Sequence, residues 1–488
     1  MGKKKEISLH KNFIFNLVYQ ILTLILPLIT TPYISRTLQA ENIGIYSYTF
    51  AILSTFMMIG SLGIATYGQK EIASNRDNSE KSNFLFWEIL LIRTFTILIA
   101  LIIYVSYAFV DENYTIFYLV QLPFMISAII DISWFFQGIE RFDITVYRNI
   151  LIKIVGIVLI FVLVKSKADL IIYLLVLSVS QLLGNLTAWM YVFGLVSKPR
   201  IRKKELINHF RLTLVYFVPT IAYQVYAVLD RVMLGIITGS EAQNGFYEQA
   251  HKIINMIVSV YSAYNIVLRS RMSYYFSKNE SKKIYDQFNK SMQMVIFLSL
   301  SMSFGMFGIS KGFVPWFFGQ GYEEVVNILY LFCPMILVMG FSMCIGTHIL
   351  TPGGMQNKAN IAQCIAAVVN LIFNAVMIPM LQARGAAIAS FLSQLSVSLI
   401  YLVLAKHYFN IKLLIKSLVK NIISAICMLY TILFLYQYIA EGLIGTFLQI
   451  IVGALVYIVL LLIMKDKFMI RIVVCIVNKM KAKGKNNA

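Results

Sequence analysis

The stretch IGIYSYTFAILSTFMMIGSLGIATY, residues 43–67, decides the fold. It carries no charged residue, and it exceeds the roughly 20 predominantly apolar residues with which a helix crosses the hydrocarbon core of a bilayer. Comparable runs recur near residues 13–35, 84–109, 115–138, 145–165, 169–195, 212–237, 244–268, 289–310, 325–350, 359–380, 386–405, 419–439 and 443–464. The pattern predicts an all-α integral membrane protein with about 14 transmembrane helices.

The basic residues predict the orientation of these helices. The chain is 59% hydrophobic and 13% charged, far from the average of soluble domains. Most of its 42 Lys and Arg residues fall in alternate loops, and the other side holds only Arg36, Lys165, Lys167, Lys311 and Arg384. By the positive-inside rule, both termini are expected to be cytoplasmic. The net charge of +20 then reflects this bias and attraction to membrane lipids, so no nucleic-acid partner is expected.

Motifs for catalysis and cofactor binding are missing from the sequence. The five cysteines stand in apolar stretches without C-x-x-C spacing, so neither a disulfide framework nor a metal site is expected. There is no G-x-x-x-x-G-K-[ST] motif for binding a nucleotide. The longest outward loop, residues 311–324, is short for a catalytic site. We therefore expect no enzyme activity and no cofactor.

An internal repeat organises the predicted helices. Three pairs of matching positions recur in the same order: Gly44-Ile45-Tyr46 with Gly245-Phe246-Tyr247, Pro123 with Pro334, and Ser180-Gln181-Leu182 with Ser393-Gln394-Leu395. They indicate a duplicated six-helix unit whose copies are related by an axis along the membrane normal. The expected domains are an N-lobe at 1–196 (helices 1–6), a basic cytoplasmic linker at 197–211, a C-lobe at 212–406 (helices 7–12), and helices 13–14 with a basic cytoplasmic tail at 407–488.

Charged residues inside apolar spans are the candidate functional residues. A charge at mid-membrane costs at least about 2.5–3.5 kcal/mol and persists where it faces a cavity or a partner. Asp230 and Arg231 are adjacent in span 7, while Glu248 and Lys252 share one helix face in span 8. Each of these pairs has a second interpretation, in which the two charges simply neutralise each other. Arg36 has an alternative role as an outer-interface anchor, and Arg148 and Lys153 have one as side chains that reach the cytoplasmic surface.

Three segments resemble the Wzx-type bacterial polysaccharide flippases of the multidrug/oligosaccharidyl-lipid/polysaccharide (MOP) exporter superfamily. They are SRTLQAENIGIYSYTFAILSTFMMIGSLGIATYGQKEIASNRDN (Ser35–Asn78), DISWFFQGIERFDITVYRNILIK (Asp131–Lys153) and VPTIAYQVYAVLDRVMLGIITG (Val218–Gly239). The sequence departs from the family pattern at two positions. Gln39 stands where the resemblance leads us to expect a small residue, usually glycine, and Lys70 where arginine is common.

The resemblance implies a MATE-like pair of lobes and a function. It implies a flippase of the bacterial cytoplasmic membrane that moves undecaprenyl-diphosphate-linked oligosaccharide to the outer leaflet by alternating access, for O-antigen or capsule-type polysaccharide. A cationic cavity would bind the diphosphate through Arg36, Arg93, Arg148, Lys153, Arg231 and Lys252. Asp131, Glu140, Asp230 and Glu248 would balance these charges, and one of them would couple an ion.

The same fold also suits other substrates. The alternatives are a flippase for the peptidoglycan precursor and an ion-coupled multidrug exporter, although the many cations argue against the exporter. Whether a polysaccharide polymerase and a chain-length regulator act as partners is left open by the sequence.

Overall fold

The computed structural model describes residues 9–197 and 201–474, and it describes the backbone alone for residues 9–24, 142–147, 203, 218–227, 262–263 and 266–267. Within these ranges the chain forms helices joined by turns, and it contains no strand. Helices suit a bilayer because each one satisfies its own backbone hydrogen bonds. Large apolar side chains such as Met190 and Ile444 are more than three-quarters exposed, as expected for a surface that faces lipid.

The helices cover every predicted apolar span. In chain order they are α1 (Leu9–Ser61), α2 (Ile64–Ser74), α3 (Ser79–Val110), α4 (Thr115–Val120), α5 (Leu122–Ile130), α6 (Ser133–Gly138), α7 (Phe142–Leu163), α8 (Leu170–Val192), α9 (Lys203–Thr238), α10 (Glu241–Ser277), α11 (Ser281–Phe318), α12 (Glu323–Ile345), α13 (Gln356–Leu381), α14 (Ala383–Leu404), α15 (Ile411–Tyr436) and α16 (Leu443–Ile463). Nine stretches of the described chain are long and apolar enough to cross a membrane, or ten if a bent pair counts as one span. The number of about 14 therefore stays a prediction.

The chain divides into two compact units, one ending at Gly245 and the other beginning at Phe246. In the first unit, α1 packs against α3, α7 and α9. In the second unit, α11 packs against α12, α15 and α16, and α13 pairs with α14. The first unit thus includes α9, which the sequence repeat assigns to the C-lobe. The predicted lobe boundaries, which follow the repeat rather than packing, stay a prediction.

Predicted span 4 is a broken helix rather than a continuous one. The chain bends by 42° between α4 and α5, at Gln121. Pro123 lies in the first turn of α5, where its missing N–H costs no helical hydrogen bond, so it begins a helix instead of kinking one. Asp131 then ends α5 in an extended conformation and accepts a hydrogen bond at Oδ1 from the Ser133 backbone N–H, 3.0 Å away.

Helix α1 is interrupted at Gln39, whose φ of 64° and ψ of 173° are not helical. Only glycine adopts this region without strain, because a Cβ atom crowds the backbone there. This conformation fits the expectation, drawn from the resemblance, of a small residue such as glycine at this position. It also separates the first two predicted spans, residues 13–35 and 43–67.

The glycines of the predicted Gly-x-Tyr repeat lie against neighbouring backbone. A Cβ atom on Gly44 would stand 1.7 Å from the Glu241 carbonyl oxygen, and one on Gly245 would stand 1.9 Å from the Ala40 carbonyl oxygen. Both distances are impossible for a real side chain. The start of α10 can therefore lie against α1 only with glycine at these two positions.

We predict that Gln39→Gly stabilises the protein by about 1 kcal/mol, because the relief of backbone strain exceeds the entropy that glycine loses on folding. The measurement is the thermal unfolding midpoint of the purified protein in detergent. The matched control is Gln287→Gly inside α11, which should cost about 1 kcal/mol. A lower midpoint for Gln39→Gly would show that the position carries no strain.

Candidate functional site

Two of the predicted site residues form a buried ion pair inside the first unit. Arg93 on α3 is 4% exposed and donates from Nη2 to Asp131 Oδ2 at 3.1 Å. Its Nε donates to the Ala128 carbonyl oxygen at 2.8 Å. The guanidinium therefore binds both the last turn of α5 and the acid that ends it. This arrangement connects α3 to the broken span.

Arg148 and Lys153 share α7 but differ in their surroundings. Arg148 is 9% exposed, and its Nη2 donates to Asn149 Oδ1 at 3.0 Å and to Ser133 Oγ at 3.4 Å. Arg148 thus contacts the first residue of α6, Ser133, which follows Asp131 by two residues. Lys153 is exposed on the same helix.

Arg36 and Arg231, two of the cations predicted to bind the diphosphate, lie on different helices of the first unit. Arg36 is exposed on α1, three residues before the break at Gln39. Arg231 is half-buried on α9, and its carbonyl oxygen accepts a hydrogen bond from Asn244 Nδ2 at 2.8 Å. The neighbouring Asp230 is 4% exposed.

The remaining predicted residues form ion pairs. Glu248, which is 7% exposed, forms an ion pair with Lys252 one turn along α10 in the second unit, with 3.6 Å between Oε1 and Nζ. Glu140 pairs with Arg76 at 2.9 Å, and both side chains are about half exposed. The structure therefore brings together Arg93 with Asp131 and Lys252 with Glu248.

A buried carboxylate that is not among the predicted site residues connects α3 to the start of α9. Glu88 on α3 is fully buried. It accepts hydrogen bonds from the backbone N–H of Arg202 at 2.8 Å and from the Arg202 Nε and Nη2 at 3.0 and 2.9 Å. Hydrogen bonding to Glu88 raises the pKa of Arg202 above its ordinary value, so the guanidinium stays charged. Since Arg202 immediately precedes α9, Glu88 fixes where that helix begins.

His209 extends this cluster to α2. Its Nε2 lies 3.1 Å from Glu88 Oε2, and its Nδ1 lies 2.5 Å from the Tyr67 hydroxyl. Because a carboxylate accepts, Nε2 donates to Glu88, and Nδ1 shares the second hydrogen bond of the ring with the Tyr67 hydroxyl. The sequence signal for this cluster is an acidic residue, Glu88, within a predicted apolar span. His209 gave no such signal, because it stands in a basic linker.

The folds of known transporters match this chain. The lipid II flippase MurJ in an inward closed conformation gives a TM-score of 0.75 at 16% identity, over 93% of this chain and 99% of that one. An inward-facing multidrug resistance MATE family transporter of the MOP superfamily gives 0.62 at 16% identity, over 83% and 99%. The predicted all-α, MATE-like membrane fold is thereby confirmed.

The chain belongs to the family described as polysaccharide biosynthesis protein, whose profile matches residues 9–276. It is also 23% identical over 411 residues to an Escherichia coli (strain K12) protein named "Putative O-antigen transporter", covering 82% of this chain and 98% of that protein. The recognition of a Wzx-type flippase of the MOP superfamily is confirmed. The protein is accordingly a multi-pass protein of the bacterial inner membrane.

We predict that Glu88→Ala destabilises the first unit by about 2 kcal/mol, because hydrogen bonds to a charged group are lost and His209 stays buried. Hydrogen–deuterium exchange of residues 201–209 should become faster, and the thermal midpoint should fall. The control is Glu41→Ala, which removes an exposed ion pair with Lys167 and should cost less than about 1 kcal/mol. Unchanged exchange in Glu88→Ala would mean that α9 is positioned by packing alone.

Proposed function

We propose that the protein moves undecaprenyl-diphosphate-linked oligosaccharide from the cytoplasmic to the outer leaflet by alternating access, for O-antigen or capsule-type surface polysaccharide. The observation that carries the proposal is the family match over residues 9–276, together with a match to 98% of a relative named for O-antigen transport. Both termini would be cytoplasmic, as the distribution of basic residues predicts.

Cations placed within apolar helices support this substrate class. A diphosphate that leaves water needs charged donors to replace its hydration, and arginine binds phosphate oxygens in two-point geometry. Arg231 is half-buried on α9, and Arg36 is exposed on α1, three residues before the break at Gln39. We propose that Arg36 and Arg231 contact the diphosphate during translocation.

The acidic residues divide into two groups by their surroundings. Asp131 and Glu248 are engaged by Arg93 and Lys252, and Glu140 is half exposed beside Arg76. Asp230 is the buried acid that adjoins a proposed substrate cation, Arg231. We propose that Asp230 balances the charge of Arg231 and also binds the ion whose movement is coupled to transport.

The peptidoglycan precursor is a second candidate substrate, because the fold resembles that of the lipid II flippase MurJ. Both substrates carry a lipid diphosphate, so the same cations would serve either one. Translocation of defined lipid-linked sugars by the purified protein in proteoliposomes distinguishes them. Transport of a peptidoglycan precursor in preference to an oligosaccharide would replace the first proposal with the second.

We predict that Arg231→Ala slows translocation roughly tenfold or more, since a hydrogen bond to a charged group contributes about 1.5–3 kcal/mol. Arg36→Ala should act in the same direction, and Arg231→Lys should restore part of the rate because it keeps the charge. The measurement is the appearance of undecaprenyl-diphosphate-linked oligosaccharide in the outer leaflet of cells with matched protein levels.

Arg76→Ala is the matched control for these variants. Arg76 is an arginine of the same unit, but it is half exposed and pairs with Glu140. It should leave translocation close to that of the unmodified protein. Normal translocation in both Arg231→Ala and Arg36→Ala would remove these two cations from the proposed path.

A further inference from the structure

A cavity of about 750 Å³ opens at one end of the first unit. Its walls come from the second half of α1, the end of α3, the turn into α4, and the junction of α9 with α10. The volume falls in the range of about 300–1,000 Å³ that is typical of small-molecule sites. The distribution of basic residues predicts that this end faces outward.

Aromatic rings and carboxylates form the walls of the cavity. Tyr48 and Tyr114 pack edge to face, with ring centroids 5.3 Å apart. The Tyr114 hydroxyl donates to Glu241 Oε1 at 2.9 Å, and the Tyr48 hydroxyl donates to Asp111 Oδ2 at 3.3 Å. A carboxylate has about four acceptor positions, so acceptor capacity remains for a ligand. Tyr107 adds a third aromatic ring.

The acidic residues of the cavity wall disfavour binding of the diphosphate of the proposed substrate. Among the described residues that line the cavity are Asp111 and Glu241, and none of these described residues is a lysine or an arginine. Two carboxylates repel a diphosphate or an acidic sugar. They favour a neutral molecule rich in hydroxyl groups, or one that carries an amino group.

We propose that this cavity is a sugar-binding site, which takes a neutral or amino-bearing sugar of the oligosaccharide. The assignment rests on the proposed function and names the part of the substrate that is bound here. Aromatic side chains offer apolar faces to the C–H surface of a sugar ring, and they keep a polar group at the edge. The carboxylates and tyrosine hydroxyls supply the acceptors and donors that sugar hydroxyls require.

The position of Gly235 connects this site to the proposed phosphate contact. A Cβ atom on Gly235 would stand 2.3 Å from the Tyr48 ring, so glycine allows that ring to lie against α9. Arg231 lies one turn before Gly235 on the same face of the helix. Four residues of helix rise about 6 Å, which places the sugar beyond the diphosphate along α9.

The test uses the full chain in lipid nanodiscs and saturation-transfer NMR with three soluble probes: N-acetylglucosamine, glucosamine and glucuronate. We expect transfer to the first two and a roughly tenfold weaker signal for glucuronate, because of the like charge. Replacing both carboxylates (Asp111→Asn with Glu241→Gln) should raise the glucuronate signal. An unfolded protein cannot produce this gain.

A bulky residue at the mouth of the cavity gives a second test. Ile236 is 63% exposed at the rim, and Ile236→Trp should block the sugar signal. The matched control is Ile237→Trp, the next residue on α9, which does not line the cavity. Equal signals from all three probes, or sugar binding unaffected by Ile236→Trp, would overturn the site. Transfer to glucosamine alone would also overturn it, because an amine site would explain that result.

Two combinations of results separate the sugar-binding site from the proposed function. Translocation of lipid-linked oligosaccharide without sugar binding in the cavity would remove the site and leave the function. Sugar binding with the expected preferences, in a protein that translocates no lipid-linked sugar, would support the site and remove the function.

Discussion

The close approach of α1 to the start of α10 is the constraint on which the end of the first unit depends. At Gly44 and Gly245 the two backbones leave no room for a side chain. This contact sets the second half of α1 against the junction of α9 and α10. Tyr48, one turn after Gly44, then packs against Gly235, and Tyr114 reaches Glu241. The parts of the cavity wall that come from α1, α9 and α10 thus depend on this close approach of the two backbones.

Much of the fold could be predicted because the bilayer leaves few choices. Apolar spans predict helices, because a helix satisfies its own backbone hydrogen bonds in lipid. The orientation that the basic loops indicate stays a prediction. Two details were also visible in the sequence. The Gly-x-Tyr repeat marked positions where the backbones touch, and the departure from glycine at Gln39 marked a residue with positive φ. Both signals come from backbone geometry, which restricts the residue types that fit at a single position.

The pairing of charged residues on different helices could not be predicted, because a charge in a span persists equally beside a partner or beside water. Arg93 and Asp131 were both recognised as intramembrane charges, but their ion pair depends on how α3 packs against α5. The hydrogen bond between His209 and Glu88 joins residues that are 121 positions apart in the sequence. The break of span 4 at Gln121 was hidden for a related reason, since the apolar pattern continues through it.

The buried Glu88 also has a consequence for membrane insertion. Glu88 precedes its partner Arg202 by 114 residues, so α3 is synthesised long before the guanidinium that will bind its carboxylate. Until then, this helix carries an acid whose burial in hydrocarbon is unfavourable. The first unit is complete only when the chain has been made as far as α9.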